Sequence, residues 1–119
     1  MTVFDPNTLL DLVDDEESQP FAFDLARTYQ RLLGQRVSRV VAAVGRAPHV
    51  DLVDSLDAVL SLKVSSAMTG VEDLATLAGT IEESLRSGDI ARAREEVARL
   101  PRAAATADRA LSEYLATTA

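Results

Sequence analysis

The chain contains no cysteine, and only 4% of its 119 residues are aromatic. Without cysteine there is no disulfide framework, no thiolate nucleophile and no cysteine-based zinc site. Ala, Leu, Val, Arg, Asp and Glu dominate instead, and this composition favours helices packed through aliphatic side chains over sheets. We therefore predict an all-α fold, and the length is that of a single domain over residues 1–119.

Basic residues are too few to match the acidic ones, with 12 Lys and Arg against 19 Asp and Glu and a net charge of -7. This balance argues against a nucleic-acid partner and against binding to anionic membranes. The first residues have neither the basic region nor the apolar run of a signal peptide, and the longest apolar run, residues 40–44, is far below the roughly 20 that span a bilayer. We expect a cytoplasmic protein with no membrane partner.

Apolar residues recur at three-and-four spacing in four long stretches, residues 20–45, 51–69, 71–85 and 90–114, and this spacing predicts four amphipathic helices. A shorter apolar stretch, which contains Leu9, Leu10, Leu12 and Val13, follows the helix-start signal Asp5-Pro6. Residues 14–20 are acidic and end at Pro20, which is typical of a linker. These helices and their short turns predict an antiparallel up-and-down four-helix bundle with a short extra N-terminal helix.

Capping residues and glycines set the predicted helix ends. Asp51 and Asp89 are suited to cap the helices that they precede, and Gly70 is suited to the turn between the second and third long helices. The sequence Ser87-Gly88 closes the third. Pro101 lies inside the last apolar stretch, where it lacks a backbone N–H, so we predict one bent helix there.

Residues 60–70, Leu-Ser-Leu-Lys-Val-Ser-Ser-Ala-Met-Thr-Gly, form the most informative segment of the chain. The segment resembles the phosphoacceptor helix of histidine-containing phosphotransfer (HPt) domains, which reads His-x-x-Lys-Gly-Ser-Ser/Ala with a glycine shortly after. Lys63, Ser65, Ser66, Ala67 and Gly70 fall in register with that pattern. The order and lengths of the predicted helices are also similar to the HPt layout, so the resemblance covers almost the whole chain.

Two positions depart from the family pattern. Leu60 stands where the family has its histidine, and a leucine side chain has no lone pair with which to attack a phosphoryl group. Val64 stands where the family has a glycine that gives a receiver domain close access, so the branched side chain is expected to obstruct docking. The resemblance thus implies a phosphotransfer scaffold that has lost its nucleophile, with no enzymatic activity and no cofactor.

The motif helix has apolar residues on two sides when it is placed at about 100° per residue. One side is expected to be the core and contains Leu52, Ser55, Val59, Leu62, Ser66 and Thr69. The other contains Val53, Leu60, Val64, Ala67 and Val71, and in the HPt family this side faces solvent. Either the second side is an exposed partner site, or the helix is buried on both sides, in part under the short N-terminal helix.

Lys63 is the only lysine in the chain. In HPt domains this lysine lies beside the phosphoryl group and faces the acidic pocket of the receiver, so the resemblance implies that receiver docking has survived without phosphotransfer. The alternative is a single solvated side chain on the flank of a helix. The predicted partner-binding residues are Val53, Leu60, Lys63, Val64 and Ala67.

Other residues are weaker candidates for chemistry. His49 is the only histidine, but it follows Pro48 in a predicted turn and has no lysine three residues later, so we expect a solvated loop residue. The acidic pairs Asp14-Asp15 and Glu82-Glu83 are expected to be solvated surface, since no His or Cys accompanies them and no metal site is predicted.

Two functions remain open from the sequence. The first is a catalytically silent HPt-like module that binds a response-regulator receiver domain in bacterial-type two-component signalling. The second is an interaction protein in which the old docking face has become a hydrophobic seam, either for self-association as a homodimer or for an unrelated partner.

Overall fold

The computed structural model describes residues 2–11, 19–46 and 48–117, and these residues form helices and short connections with no strand among them. The helices are α1 (Pro6–Asp11), α2 (Gln19–Val40), α3 (Leu52–Thr69), α4 (Glu72–Arg86), α5 (Ile90–Val97) and α6 (Leu100–Ala116), and a π-helical turn, Val41–Arg46, continues α2. The all-α prediction and the helical bundle with a short N-terminal helix are confirmed. Leu12, Val13 and the predicted linker residues 14–18 lie outside the described residues, whereas Pro20 is the second residue of α2 and not part of a linker.

The predicted helix boundaries around α3 and α5 are confirmed in atomic detail. Asp51 accepts a hydrogen bond from the Asp54 N–H at 3.1 Å, and Asp89 accepts one from the Arg92 N–H at 3.1 Å. Gly70 ends α3 with a φ of 85°, a left-handed conformation that glycine adopts without steric cost. A Cβ atom at Gly70 would also collide with the carbonyl oxygen of Asp5, so both the backbone conformation and the lack of space require glycine at this position.

The start of α1 is fastened to the same turn. The Asp5 N–H donates to the Gly70 carbonyl oxygen at 2.8 Å, and Leu9 of α1 is fully buried. The short helix α1 therefore lies against the C-terminal end of α3 and against α2, with which it also packs. This leaves the middle of α3 uncovered by α1.

The last apolar stretch differs from the prediction of one bent helix. The structure divides it into α5 and α6, and the two residues between them, Ala98 and Arg99, keep right-handed backbone angles. Pro101 is the cause, because it has no N–H to donate to the carbonyl of Val97, one turn back. It lies in the first turn of α6, where a missing N–H costs little.

The core runs along the length of the bundle, which measures 48 × 23 × 23 Å. Helices α3 and α4 pack closely as an antiparallel pair, and α2 lies between α3 and α6. Among the side chains with no exposed surface are Val59 and Leu62 of α3, Leu74 and Ile81 of α4, and Leu111 of α6. Within the described ranges, no helix is both long enough and apolar enough to cross a membrane.

Candidate functional site

The inner face of α3 lies in the core, as predicted for most of its residues. Ser55, Val59, Leu62, Ser66 and Thr69 are all buried. Leu52 is the exception, since 46% of it is exposed and its assignment to the core is wrong. It is the first residue of α3, at the end of the bundle, where the neighbouring helices no longer cover this face.

The opposite side of α3 carries a line of apolar residues that reach solvent, which we call the outer line: Val53, Leu60, Val64 and Ala67. Val53 is 81% exposed and Val64 is 52% exposed, while Ala67 is exposed and Leu60 is half-buried. The alternative of burial on both sides is therefore wrong for this part of α3. It applies to Val71, which is fully buried because it lies beyond Gly70 and no longer follows the rotation of α3.

Lys63 lies beside the outer line, and it is not a free cation. Its Nζ donates to Oε1 of Glu82 on α4 at 2.8 Å, and Oε2 of the same carboxylate accepts from Nε of Arg86 at 2.9 Å. The hydrogen bonds from Lys63 and then Arg86 hold the pKa of Glu82 below its usual value. The ammonium group is thus directed toward α4.

Glu82 is therefore a functional candidate that the sequence prediction missed. Its side chain is only 14% exposed, so the expectation of a solvated surface residue is wrong. The spacing between Glu82 and Arg86 could have indicated their pairing, since residues four apart on a helix are neighbours. The pairing with Lys63 depends on how α3 and α4 pack, which local spacing does not reveal.

A second set of ion pairs flanks the outer line on the side of α2. Arg39 donates to Asp57 at 2.6 Å and lies 3.6 Å from Asp54, and all three side chains are well exposed. Both carboxylates belong to α3 and hold the arginine of α2 against it. The outer line therefore lies between two charged borders, one toward α4 and one toward α2.

Beneath the outer line, a buried hydrogen bond joins α2 to α3. The hydroxyls of Tyr29 and Ser66 lie 2.7 Å apart. Burial raises the pKa of Tyr29 to about 12, with smaller lowering effects from the bond to Ser66 and from the charge of Arg36. Ser66 was predicted to face the core, and the hydrogen bond fixes its register against Tyr29 of α2.

The outer line itself carries no group suited to attack a phosphoryl group. The hydroxyl of Ser65, which follows Val64 in the sequence but lies on the side of α2, donates to the carbonyl of Ser61 at 2.7 Å. His49 is exposed in the segment before α3, as expected. Leu60 is about 12 Å farther along the helix than Leu52, the first residue of α3, at ~1.5 Å per residue. His49, which precedes Leu52, is therefore remote from the position of the family's histidine. The arrangement is suited to binding.

Across the ranges that the structure describes, no three His, Cys, Asp or Glu side chains are grouped so that they could hold a metal ion. The pair Asp14-Asp15 lies outside those ranges.

Comparison with known proteins gives no relative: no protein-family model, no curated protein and no solved structure matches the chain. The similarity to HPt domains consequently remains one of motif residues and helix order.

Proposed function

We propose that the chain is a catalytically silent binding module that docks a receiver domain of a two-component pathway on the outer line of α3. One observation carries the binding role. Of the six large apolar side chains that the described residues leave exposed, four belong to α3, and two of these, Val53 and Val64, lie on the outer line. Single exposed apolar residues are ordinary on a protein surface, but several on one helix mark an interaction surface.

The energetic basis is burial of aliphatic surface. Covering one side chain such as Val64 contributes ~1.5 to 3 kcal/mol when it goes from full exposure to full burial. Val53 and Val64 lie eleven residues apart on α3, or about 16 Å at ~1.5 Å per residue, so one partner surface of ordinary size reaches both. The ion pairs at both borders supply the polar rim that surrounds such a patch.

A receiver domain is proposed as the partner because of the residues around Leu60. Lys63, Ser65, Ser66, Ala67 and Gly70 keep the HPt pattern, and in that family this surface receives the receiver domain. Leu60 has no nucleophilic atom, so binding proceeds without phosphoryl transfer. The receiver is then occupied and not discharged.

Two contacts favour a second candidate, an unrelated protein partner or a second copy of this chain. Val64 projects from the position where the family has glycine, and Lys63 is already engaged by Glu82. Both features reduce the access of a receiver's acidic pocket to the lysine. Light scattering over a range of concentrations distinguishes self-association from a monomer that awaits another protein.

The experiment for the receiver proposal is a pull-down from the native host with wild-type and Val64→Asp bait. A receiver domain captured by the wild type and lost with Val64→Asp supports the proposal, because a carboxylate in the patch would lose its hydration on docking. An equal yield of receiver from both baits contradicts docking on the outer line. Capture of other proteins without any receiver favours the second candidate.

The absence of transfer is tested with the receiver in its phosphorylated form. We expect no acid-labile label on the wild-type chain. Leu60→His combined with Val64→Gly should restore some labelling, because an imidazole beside Lys63 supplies a nucleophile and the glycine gives access. Label on His49 of the wild type would overturn the silent assignment.

A further inference from the structure

Helices α2 and α3 are separated by a groove on the side of α3 that faces away from α4. One hollow of about 530 Å³ has Leu32, Arg36 and Ser61 among its lining residues, and a second of about 190 Å³ has Leu25, Arg36, Ser65 and Met68. Arg36 lines both, so the two hollows lie next to each other along α2, and together they are called the groove. The small side chains of Ser61 and Ser65 leave this space open.

The groove is long, and its lining is largely apolar. From Leu25 to Arg39 it follows α2 for about 21 Å at ~1.5 Å per residue, which is the length of a helix of about 14 residues. Leu25 and Leu32 are half-buried in its floor, and Met68 is 58% exposed at one end. An amphipathic helix with apolar residues three and four apart fits a groove of this shape.

The charge around the groove is opposite in sign to that of the whole molecule. The charged residues that line the groove are Arg36 and Arg39, and no carboxylate is among its lining residues, in a chain of net charge -7. Arg39 is neutralised by Asp57 at one end of the groove. Arg36, in the middle, has no carboxylate partner among the residues that the structure describes.

We propose that this groove binds an acidic amphipathic helix of another protein. The apolar face of that helix packs on Leu25, Leu32 and Met68, and a carboxylate at its centre accepts hydrogen bonds from the guanidinium of Arg36. The planar guanidinium presents paired N–H donors that match the two oxygens of a carboxylate. This site is separate from the outer line, and it does not depend on receiver docking.

A protein helix fits the groove better than a membrane or a nucleic acid. Nucleic acids and anionic membranes are held by many clustered cations. Here Arg36 is the one groove cation without a carboxylate among the residues that the structure describes, and it lies between apolar side chains. The remaining surface of the molecule is acidic and repels such polyanions.

The experiment is an unbiased selection from displayed peptides of about 16 residues. Apolar positions spaced three and four apart vary among Leu, Ile, Met and Phe, and flanking positions vary among Asp, Glu, Lys, Arg and Ser. We expect the selected peptides to be enriched in Asp and Glu, with a carboxylate fixed near the centre. Selection of basic peptides, of peptides without acidic enrichment, or of none at concentrations up to about 1 mM overturns the proposal.

The best peptide is then measured against matched variants by fluorescence anisotropy, with circular dichroism as the check on folding. Arg36→Gln should weaken binding about tenfold and Arg36→Glu should weaken it further. Arg102→Glu on α6 makes the same charge change at an exposed site and should alter binding by no more than about twofold. Equal affinity of wild type and Arg36→Glu contradicts the groove as the binding site.

Two further measurements separate this site from its alternatives. Val53→Asp, at the end of the outer line far from Met68, should change peptide binding by no more than about twofold, so failure of receiver docking and failure of this proposal are distinguishable. Phosphatidylserine vesicles should not sediment the wild-type protein. Sedimentation that depends on Arg36 would assign the groove to a membrane surface and overturn the proposal.

Discussion

Glu82 determines where the single lysine of the chain is directed. Its carboxylate bridges Lys63 of α3 and Arg86 of α4, and the side chain lies mostly buried between them. A partner that approaches Lys63 with an acidic pocket must therefore compete with a carboxylate already in place. The strength of the Lys63–Glu82 contact therefore determines the fraction of molecules in which the ammonium group is available to a partner.

The first prediction concerns the pH dependence of this contact. The pKa of Glu82 is lowered from 4.5 by Lys63 and Arg86. A carboxylate with a lowered folded-state pKa contributes stability above its unfolded-state pKa and loses it as the pH falls through the folded-state value. Wild type should therefore exceed Glu82→Gln in free energy of unfolding at neutral pH, and the difference should shrink below about pH 4.5.

Urea denaturation between about pH 7 and pH 3 measures both proteins under the same conditions. Glu83→Gln, at the neighbouring exposed glutamate, is the matched control, because it removes one carboxylate without breaking the contact with Lys63 and Arg86. Parallel curves for wild type and Glu82→Gln across this range would contradict a stabilising contact.

The second prediction concerns Tyr29, whose pKa is raised to about 12 by burial. A raised folded-state pKa means that stability is present below the unfolded-state pKa near 10 and is lost as the pH rises toward 12. Tyr29→Phe should remove this alkaline loss. It should also lower the free energy of unfolding at neutral pH by about 1 kcal/mol, because the hydrogen bond with Ser66 disappears.

Denaturation at neutral pH and between about pH 10 and pH 12 tests both parts. The chain has two tyrosines, and burial also raises the pKa of Tyr114. Tyr114→Phe is therefore the comparison: because this phenol lies nearer the surface, it should remove less of the alkaline loss than Tyr29→Phe does. Retention of the full alkaline loss in Tyr29→Phe would show that the loss arises elsewhere.

At the scale of the element, α3 shows how far periodicity predicts exposure. Its inner face could be predicted because Ser55, Val59 and Leu62 repeat at three-and-four spacing. The prediction failed at both ends, for different physical reasons: Leu52 lies beyond the reach of neighbouring helices, and Val71 lies past the turn at Gly70. A helical rotation is informative only while the helix continues and only where other elements cover it.

The third prediction separates the two faces of α3. Leu62→Asp should unfold the domain, because an unpaired carboxylate would replace a side chain with no exposed surface. Val64→Asp, two residues away and 52% exposed, should change the free energy of unfolding by no more than about 0.5 kcal/mol. Leu60→Asp should fall between them, since Leu60 is half-buried.

Thermal denaturation followed by circular dichroism measures all three variants. If Val64→Asp were as destabilising as Leu62→Asp, the outer line would belong to the core and could not be a partner site.

The division between α5 and α6 could be predicted only in part. Pro101 marked its place in the sequence, but a proline there is compatible with either a kink in one helix or a division into two.

At the scale of the whole molecule, helix order and most helix boundaries followed from capping residues, glycines and apolar spacing along the chain; the start of α2 and the division between α5 and α6 did not. Lateral contacts did not. The pairing of Lys63 with Glu82, and that of Arg39 with Asp57, join different helices, so they depend on the rotation of each helix about its axis. The arginines along α2 of an acidic chain were visible in the sequence. Only the structure shows that two of them, Arg36 and Arg39, line a groove.

The outer line, the proposed binding surface, is exposed because the bundle buries one face of α3 and none of the described helices covers the opposite side. The mass of 12.8 kDa makes the chain suitable for residue-by-residue observation in solution. The most direct measurement is therefore a nuclear magnetic resonance titration of the isotope-labelled chain with an isolated receiver domain from the same genome. Backbone amide shifts report which surface the partner covers.

We predict saturable shifts centred on Val53, Lys63, Val64 and Ala67, no corresponding shifts on α6, and loss of the shifts with Val64→Asp. Shifts centred on another face, or none with the receivers of that genome at concentrations up to about 1 mM, would contradict receiver docking on α3.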